Sequence, residues 1–116
     1  MSRRTLAALF AASLSAVGTV AMLAPRRAAA MFGLAAEGPA LAYMRACGGR
    51  DLVFGALIAA TLDDPRALRT MLQLVSTVPV LDAMLLFAER GARPSHVLHL
   101  GGAAAMFWAA QRDDGA

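Results

Sequence analysis

Two charged residues stand side by side in an apolar stretch of this sequence. Arg50 and Asp51 lie within RACGGRDLVFGALIAATL, residues 45–62, and a single acid, Asp82, lies in the next apolar stretch. An ionisable group inside a membrane span costs about 2.5 to 3.5 kcal/mol on insertion scales, so such groups pair with one another or serve a site. His99, near the start of the last apolar stretch, adds a group that exchanges protons near neutral pH. These residue types are suited to binding a ligand or to handling protons.

Helix geometry indicates which of these residues are partners. A rise of about 1.5 Å per residue places Arg50, Asp51, Asp82, His99 and also Arg45 in the same half of a helical bundle. Adjacent residues on a helix do not face each other, so we expect Arg50 and Asp51 to find partners on other helices. Asp82 is the predicted partner of Arg50, and His99 is that of Asp51, with the reverse pairing left open. Arg45 is the fifth member of the predicted cluster.

Three functions are compatible with this cluster. The charges form a ligand-binding or proton-handling site, or they only fix helix packing in a structural or assembly protein. Alternatively, they act on a lipid-like substrate, with Asp82 or His99 as acid and base. The sequence assigns no catalytic residue and no cofactor, and it leaves open whether the protein is an enzyme. A metal site formed by His96, His99 and Asp82 is a weaker interpretation, because the histidines lack the spacing of a recognised metal motif.

Four apolar stretches must position these residues, and short breaks with proline, glycine and paired arginines separate them. They cover about residues 5–24, 39–61, 66–88 and 95–110. The first three reach the roughly 20 residues that cross the hydrocarbon core, whereas the fourth is short. We predict an all-α fold, a four-helix transmembrane bundle that runs up, down, up and down with short loops, in a single domain over residues 1–116. Pro79 should kink the third helix and open room beside Asp82.

The composition favours a membrane location. Hydrophobic residues make up 59% of the 116 residues, which is more than a soluble chain of this length buries. The basic residues are all arginine and occur mostly in pairs at the ends of the apolar stretches, as membrane flanks do, and they form no nucleic-acid-binding patch. We therefore expect a multi-pass protein of the bacterial inner membrane. Its expected partners are membrane lipid, an apolar small molecule, and a membrane protein or further copies of the chain.

The first apolar stretch has two other interpretations. Its basic start and apolar run also resemble a cleavable secretory signal, but the residues before Pro25 do not form a clean small-x-small cleavage site. A soluble bundle would need a polar outer face on every helix, and the stretch from Thr5 to Ala24 has none. The arginines are divided almost evenly between the two ends of the bundle, so the orientation stays open.

Three short motifs carry a resemblance to a known family: GGRDLVFGALIA at 48–59, PVLDAMLLF at 79–87 and SHVLHLGGAAA at 95–105. Over about residues 6–110 the sequence resembles an uncharacterised family of small four-helix integral membrane proteins from bacteria and fungi, a domain of unknown function. This family is similar in layout to the DoxX-like group. The resemblance implies the fold, the membrane location and the importance of Arg50, Asp51, Asp82 and a histidine, best matched by His99. It implies no reaction.

Overall fold

Helices are the regular secondary structure of the part of the chain that the structure describes. This computed structural model describes residues 1–91 and 94–112. Within those ranges there are five helices: α1 (Arg3–Leu23), α2 (Pro25–Met31), α3 (Pro39–Ala60), α4 (Pro65–Arg90) and α5 (Ser95–Gln111). The predicted all-α class is confirmed, and the four long helices match the predicted stretches to within a few residues. The short helix α2 is the additional element.

Prolines and a side-chain cap fix where three of the helices begin. Pro25, Pro39 and Pro65 occupy the first turns of α2, α3 and α4, where a helix needs no N–H donor. The Asp64 carboxylate accepts hydrogen bonds of 3.0 Å from the backbone N–H groups of Arg66 and Ala67. This N-cap satisfies donors that have no partner within the helix. The turn between α3 and α4 is therefore short and well defined.

Contacts between helix ends show the direction in which the helices run. Arg4 at the start of α1 pairs with Asp63 in the α3–α4 turn at 2.9 Å. Arg69 near the start of α4 donates to the side-chain oxygen of Gln111 at the end of α5, at 3.0 Å. The start of α1, the α3–α4 turn and the end of α5 thus lie together at what we call the terminal end. The opposite end, which carries α2, is called the α2 end.

The helices α1 and α3 approach each other so closely that only glycine fits where they cross. A Cβ atom on Gly18 would lie 2.7 Å from the carbonyl oxygen of Gly48, and one on Gly48 would lie 2.7 Å from the carbonyl oxygen of Gly18. A Cβ on Gly55 would lie 2.5 Å from Oγ of Ser15. Small residues permit such close approach of helix backbones in membrane proteins. The result is that α1 packs chiefly on α3, while α4 packs chiefly on α5.

The apolar core lies toward the terminal end. Among the described residues, the largest fully buried side chains are Ile58, Leu68 and Leu72. They pack with smaller buried residues of α1, α4 and α5, namely Leu6, Ala7, Ala11, Val75, Met106, Ala109 and Ala110. All four long helices therefore contribute to one core, and the charged residues of α3 and α4 lie beyond it toward the α2 end.

Among the helices of residues 1–91 and 94–112, two are long and apolar enough to cross a membrane, by length and composition: Arg3–Leu23 and Pro65–Glu89. The helix α3 has 22 residues but carries Arg45, Arg50 and Asp51, and α5 has 17 residues against the roughly 20 that a span needs. The four spans expected from the sequence are thus supported for two helices only. Every long helix exposes large apolar side chains, among them Leu9, Leu23, Val53, Leu57, Leu81, Leu85, Val97 and Phe107.

Candidate functional site

Arg50 on α3 joins two carboxylates. Its Nη1 and Nη2 donate to the two oxygens of Asp82 on α4 at 3.1 and 2.9 Å, the bidentate geometry that a planar guanidinium favours. Its Nε and Nη2 also donate to Oδ1 of Asp51 at 3.2 and 3.1 Å. The structure therefore contains the predicted Arg50–Asp82 pair. The expectation that Arg50 and Asp51 do not meet is wrong, because a long arginine side chain reaches its neighbour although the two Cβ atoms diverge.

His99 on α5 faces this group of charges. Its ring stacks on that of Phe32, with the ring centroids 5.2 Å apart and the planes inclined by 20°. His99 lines the same two cavities as Arg50, Asp51 and Asp82. Within the described residues no hydrogen bond joins His99 to Asp51, so the predicted pairing of these two side chains is not formed. We call Arg50, Asp51, Asp82 and His99 the polar cluster.

Arg45 lies apart from the polar cluster. Its side chain is exposed, and its Nε donates to the carbonyl oxygen of Met22 at 3.3 Å. Because Met22 is in the last turn of α1, Arg45 is level with the end of that helix. The first turns of α3 thus extend beyond α1 toward the α2 end. The sequence placed Arg45 in the cluster, whereas in the structure its side chain turns toward the end of α1 and lines neither of the two cavities that the other four residues share.

Two cavities flank the polar cluster. The first has a volume of about 330 Å³ and extends toward the core, where Phe10, Phe54, Val75 and Met106 line it. The second, of about 230 Å³, extends toward the α2 end, where its lining includes Leu34, Met44, Cys47 and Leu86. Both cavities are lined by Val17, Phe32 and the four residues of the polar cluster. The cluster is therefore a polar band between two mainly apolar compartments.

Pro79 and Gly102 contribute backbone features to the first cavity. Pro79 lines it one turn before Asp82, at the place where the sequence predicts room for a ligand. Gly102 on α5 also lines it, and a Cβ atom on this glycine would meet no heavy atom within 4 Å. A side chain at position 102 would therefore project into open space beside the polar cluster.

Phe32 is the lining residue that sequence reasoning missed. It follows α2 directly, is half-buried, and stacks on His99. Its one signal in the sequence is that it is the sole aromatic residue between positions 25 and 42. The other phenylalanines of the cavity, Phe10 and Phe54, lie in continuous apolar stretches, and no pattern there marks which residues face inward.

The described residues contain no group of three or more histidine, cysteine, aspartate or glutamate side chains placed to hold a metal ion. His96 is buried on α5 and its ring lies 6.2 Å from that of Phe87 in a tilted arrangement. The alternative metal site of His96, His99 and Asp82 is therefore not formed. The chemistry that the polar cluster offers is that of a guanidinium, two carboxylates and an imidazole.

Over the part of the chain that the structure describes, these features define an α-helical protein with a charged cluster between helices and with two helices whose length and composition suit a membrane span. Residues 11–111 match a family described as a domain of unknown function, DUF4267. The match covers most of the chain, so the protein belongs to this family, as the three sequence motifs predicted. No curated protein and no solved structure matches the chain.

Proposed function

We propose that the protein crosses the bacterial inner membrane four times and binds a small amphiphilic molecule beside Asp82 and His99. The apolar side chains exposed on all four long helices support the membrane location, because water-soluble proteins rarely expose such continuous apolar surface. The charges of α3 are compatible with a span: Arg45 is level with the end of α1, and Arg50 pairs with both acids. Only two charges of α3, those of Arg50 and Asp51, then lie inside the bilayer, and they have opposite sign and pair with each other.

The observation that carries the binding function is the cavity of about 330 Å³ beside the polar cluster. Charges that served helix packing alone would be enclosed by tightly packed side chains, because a void loses contacts and costs stability. Here the two carboxylates and His99 line open space instead. A cavity of this size is at the small end of the range for ligand-binding sites, and a few convergent polar groups in an apolar lining are typical of such sites.

The size and charge of the site limit the class of ligand. A cavity of about 150 Å³ holds a benzene molecule, so about 330 Å³ suits roughly ten to fifteen non-hydrogen atoms. The polar cluster has one guanidinium and two carboxylates, so it carries one net negative charge when His99 is neutral. Carboxylate oxygens accept hydrogen bonds and attract cations. We therefore expect a ligand with an amine or hydroxyl head group and an apolar body, and we expect a carboxylate head group to be excluded.

Three probes of equal chain length test this function: octylamine, octanol and octanoate, each added to the purified protein in detergent. The amine and the alcohol should raise the midpoint of thermal unfolding, because a ligand that binds the folded state stabilises it, whereas octanoate should not. Gly102→Leu fills the first cavity and should abolish the response. Gly101→Leu is the matched control, since Gly101 is exposed, adjoins open space and does not line the cavity.

Two results would contradict the proposal. One is an equal response of the wild type, Gly102→Leu and Gly101→Leu, which would indicate partition into the micelle. The other is no response to any probe. In that case the structural alternative gains support from the contacts of Arg50, whose three guanidinium nitrogens all donate to carboxylates. Proton handling and catalysis stay sequence-based predictions, since no contact in the structure favours either of them.

A further inference from the structure

Three arginines surround a pocket at the α2 end. Arg26 and Arg27 in the first turn of α2 and Arg45 on α3 line a pocket of about 310 Å³, together with Leu23, Ala24, Pro25 and Leu41. The three arginine side chains are exposed, and no acidic residue lines the pocket. In the described ranges of the chain, none of the three forms a salt bridge. Three positive charges without a counter-charge repel one another and attract an anion.

The pocket lies where a membrane span ends. The apolar helix α1 finishes at Leu23, which is 80% exposed, and the pocket is built around this residue and the next four. Arg45 is tied to the same level by the hydrogen bond from its Nε to the carbonyl oxygen of Met22. Its terminal nitrogens make no hydrogen bond within the described residues. The pocket thus combines an apolar edge toward the hydrocarbon with basic groups at the level of the lipid head groups.

We propose that this pocket binds the phosphate group of an anionic phospholipid. Guanidinium groups donate paired hydrogen bonds to phosphate oxygens, and basic pockets at the ends of transmembrane helices bind anionic head groups. The exposed Leu23 side chain offers an apolar surface for the first carbons of an acyl chain. The proposal depends on the membrane location proposed above and is independent of the ligand in the cavity beside Asp82.

The test is native mass spectrometry of the full chain in detergent, titrated with phosphatidylglycerol or with phosphatidylcholine of the same acyl chains. The wild type should bind phosphatidylglycerol preferentially. The variant Arg26→Gln, Arg27→Gln, Arg45→Gln should bind it about tenfold more weakly or worse, because each basic group near the surface adds to the attraction. The control variant Arg4→Gln, Arg66→Gln, Arg69→Gln removes the same charge at the terminal end and should retain the wild-type affinity.

A second variant and a competing ligand distinguish this site from other causes of lipid binding. Arg26→Gln with Arg27→Gln leaves the contact of Arg45 with Met22 intact, and it should still weaken phosphatidylglycerol binding at least about threefold. Equal losses in the site and control variants would mean a general charge effect and would overturn the proposal. Equal binding of the two lipids would also overturn it, as would full competition by millimolar inorganic phosphate, which would indicate a site for free phosphate. Gly102→Leu fills the cavity beside Asp82 and should leave lipid binding unchanged. The experiment therefore tests the phospholipid site separately from the ligand site in that cavity.

Discussion

The Arg50 guanidinium and the Asp82 carboxylate meet across α3 and α4 through two hydrogen bonds of 3.1 and 2.9 Å. The Arg50 and Asp82 side chains are 33% and 25% exposed, and they line the cavities from two different helices. This pair therefore links the α1–α3 pair to the α4–α5 pair, in addition to the apolar core to which all four long helices contribute.

The first prediction is that Arg50 and Asp82 are energetically coupled. Arg50→Met should lower the free energy of unfolding by about 2 to 4 kcal/mol, since it leaves both carboxylates without their cation. Asp82→Leu should lower it by about 1 to 3 kcal/mol, since Arg50 keeps Asp51 as its one remaining partner. The double variant should lose less than the sum, by at least about 1 kcal/mol. Arg4→Met with Asp63→Leu is the control cycle. That ion pair is exposed, so its coupling should stay below about 0.5 kcal/mol. Unfolding in mixed detergent micelles measures all of these variants, and additive losses at Arg50 and Asp82 would refute the coupling.

The second prediction concerns the crossing of α1 and α3. Gly48→Ala should lower the free energy of unfolding by about 1 to 3 kcal/mol, because the added Cβ must displace a backbone carbonyl. Gly49→Ala is the neighbouring control: its Cβ would lie 3.8 Å from the nearest atom, the sulfur of Met22. That change should be neutral or stabilise by up to about 1 kcal/mol, since alanine favours the helix. Equal effects of the two substitutions in the same unfolding assay would show that the helices do not pack so closely.

The third prediction is the topology. In a Cys47→Ala background, single cysteines at Ser2 and Asp63 should react with an impermeant maleimide from one side of sealed vesicles. A cysteine at Glu37 should react from the other side, because the helices run antiparallel and α2 lies opposite the terminal end. Labelling of all three positions from the same side would exclude a four-span arrangement.

The fourth prediction is that the purified protein retains α1. Leu6, Ala7 and Ala11 of this helix are buried in the core, and Gly18 fits against Gly48. Removal of α1 would therefore expose the core and the glycine face of α3. Intact-mass measurement of protein extracted from membranes should give the full chain. A mass short of the first two dozen or so residues would identify α1 as a cleaved signal.

The sequence predicted the individual helices better than the contacts between them. Proline positions and apolar length predicted the long helices, and opposite charge at similar depth predicted that Arg50 meets Asp82. The contact of Arg50 with Asp51 was missed because Cβ directions do not describe a long, flexible side chain. Arg45 was assigned to the cluster because depth along a helix does not show which way a side chain turns, and this side chain turns toward Met22 at the end of α1. The stacking of Phe32 on His99 depends on the path of the chain after α2, which periodicity does not predict.

The glycine contact between α1 and α3 also restricts how the cavities change volume. Helix backbones that are in direct contact leave no space for one helix to shift against the other. We therefore expect α1 and α3 to move as one rigid unit. Expansion of the cavities would then require the α4–α5 pair to move away from α1 and α3, and this movement would lengthen the hydrogen bonds between Arg50 and Asp82. A guest larger than the cavity would therefore compete with the ion pair between Arg50 and Asp82, which joins the two helix pairs together with the apolar core. Loss of this ion pair would leave the Asp82 carboxylate without Arg50 and free to bind the incoming molecule.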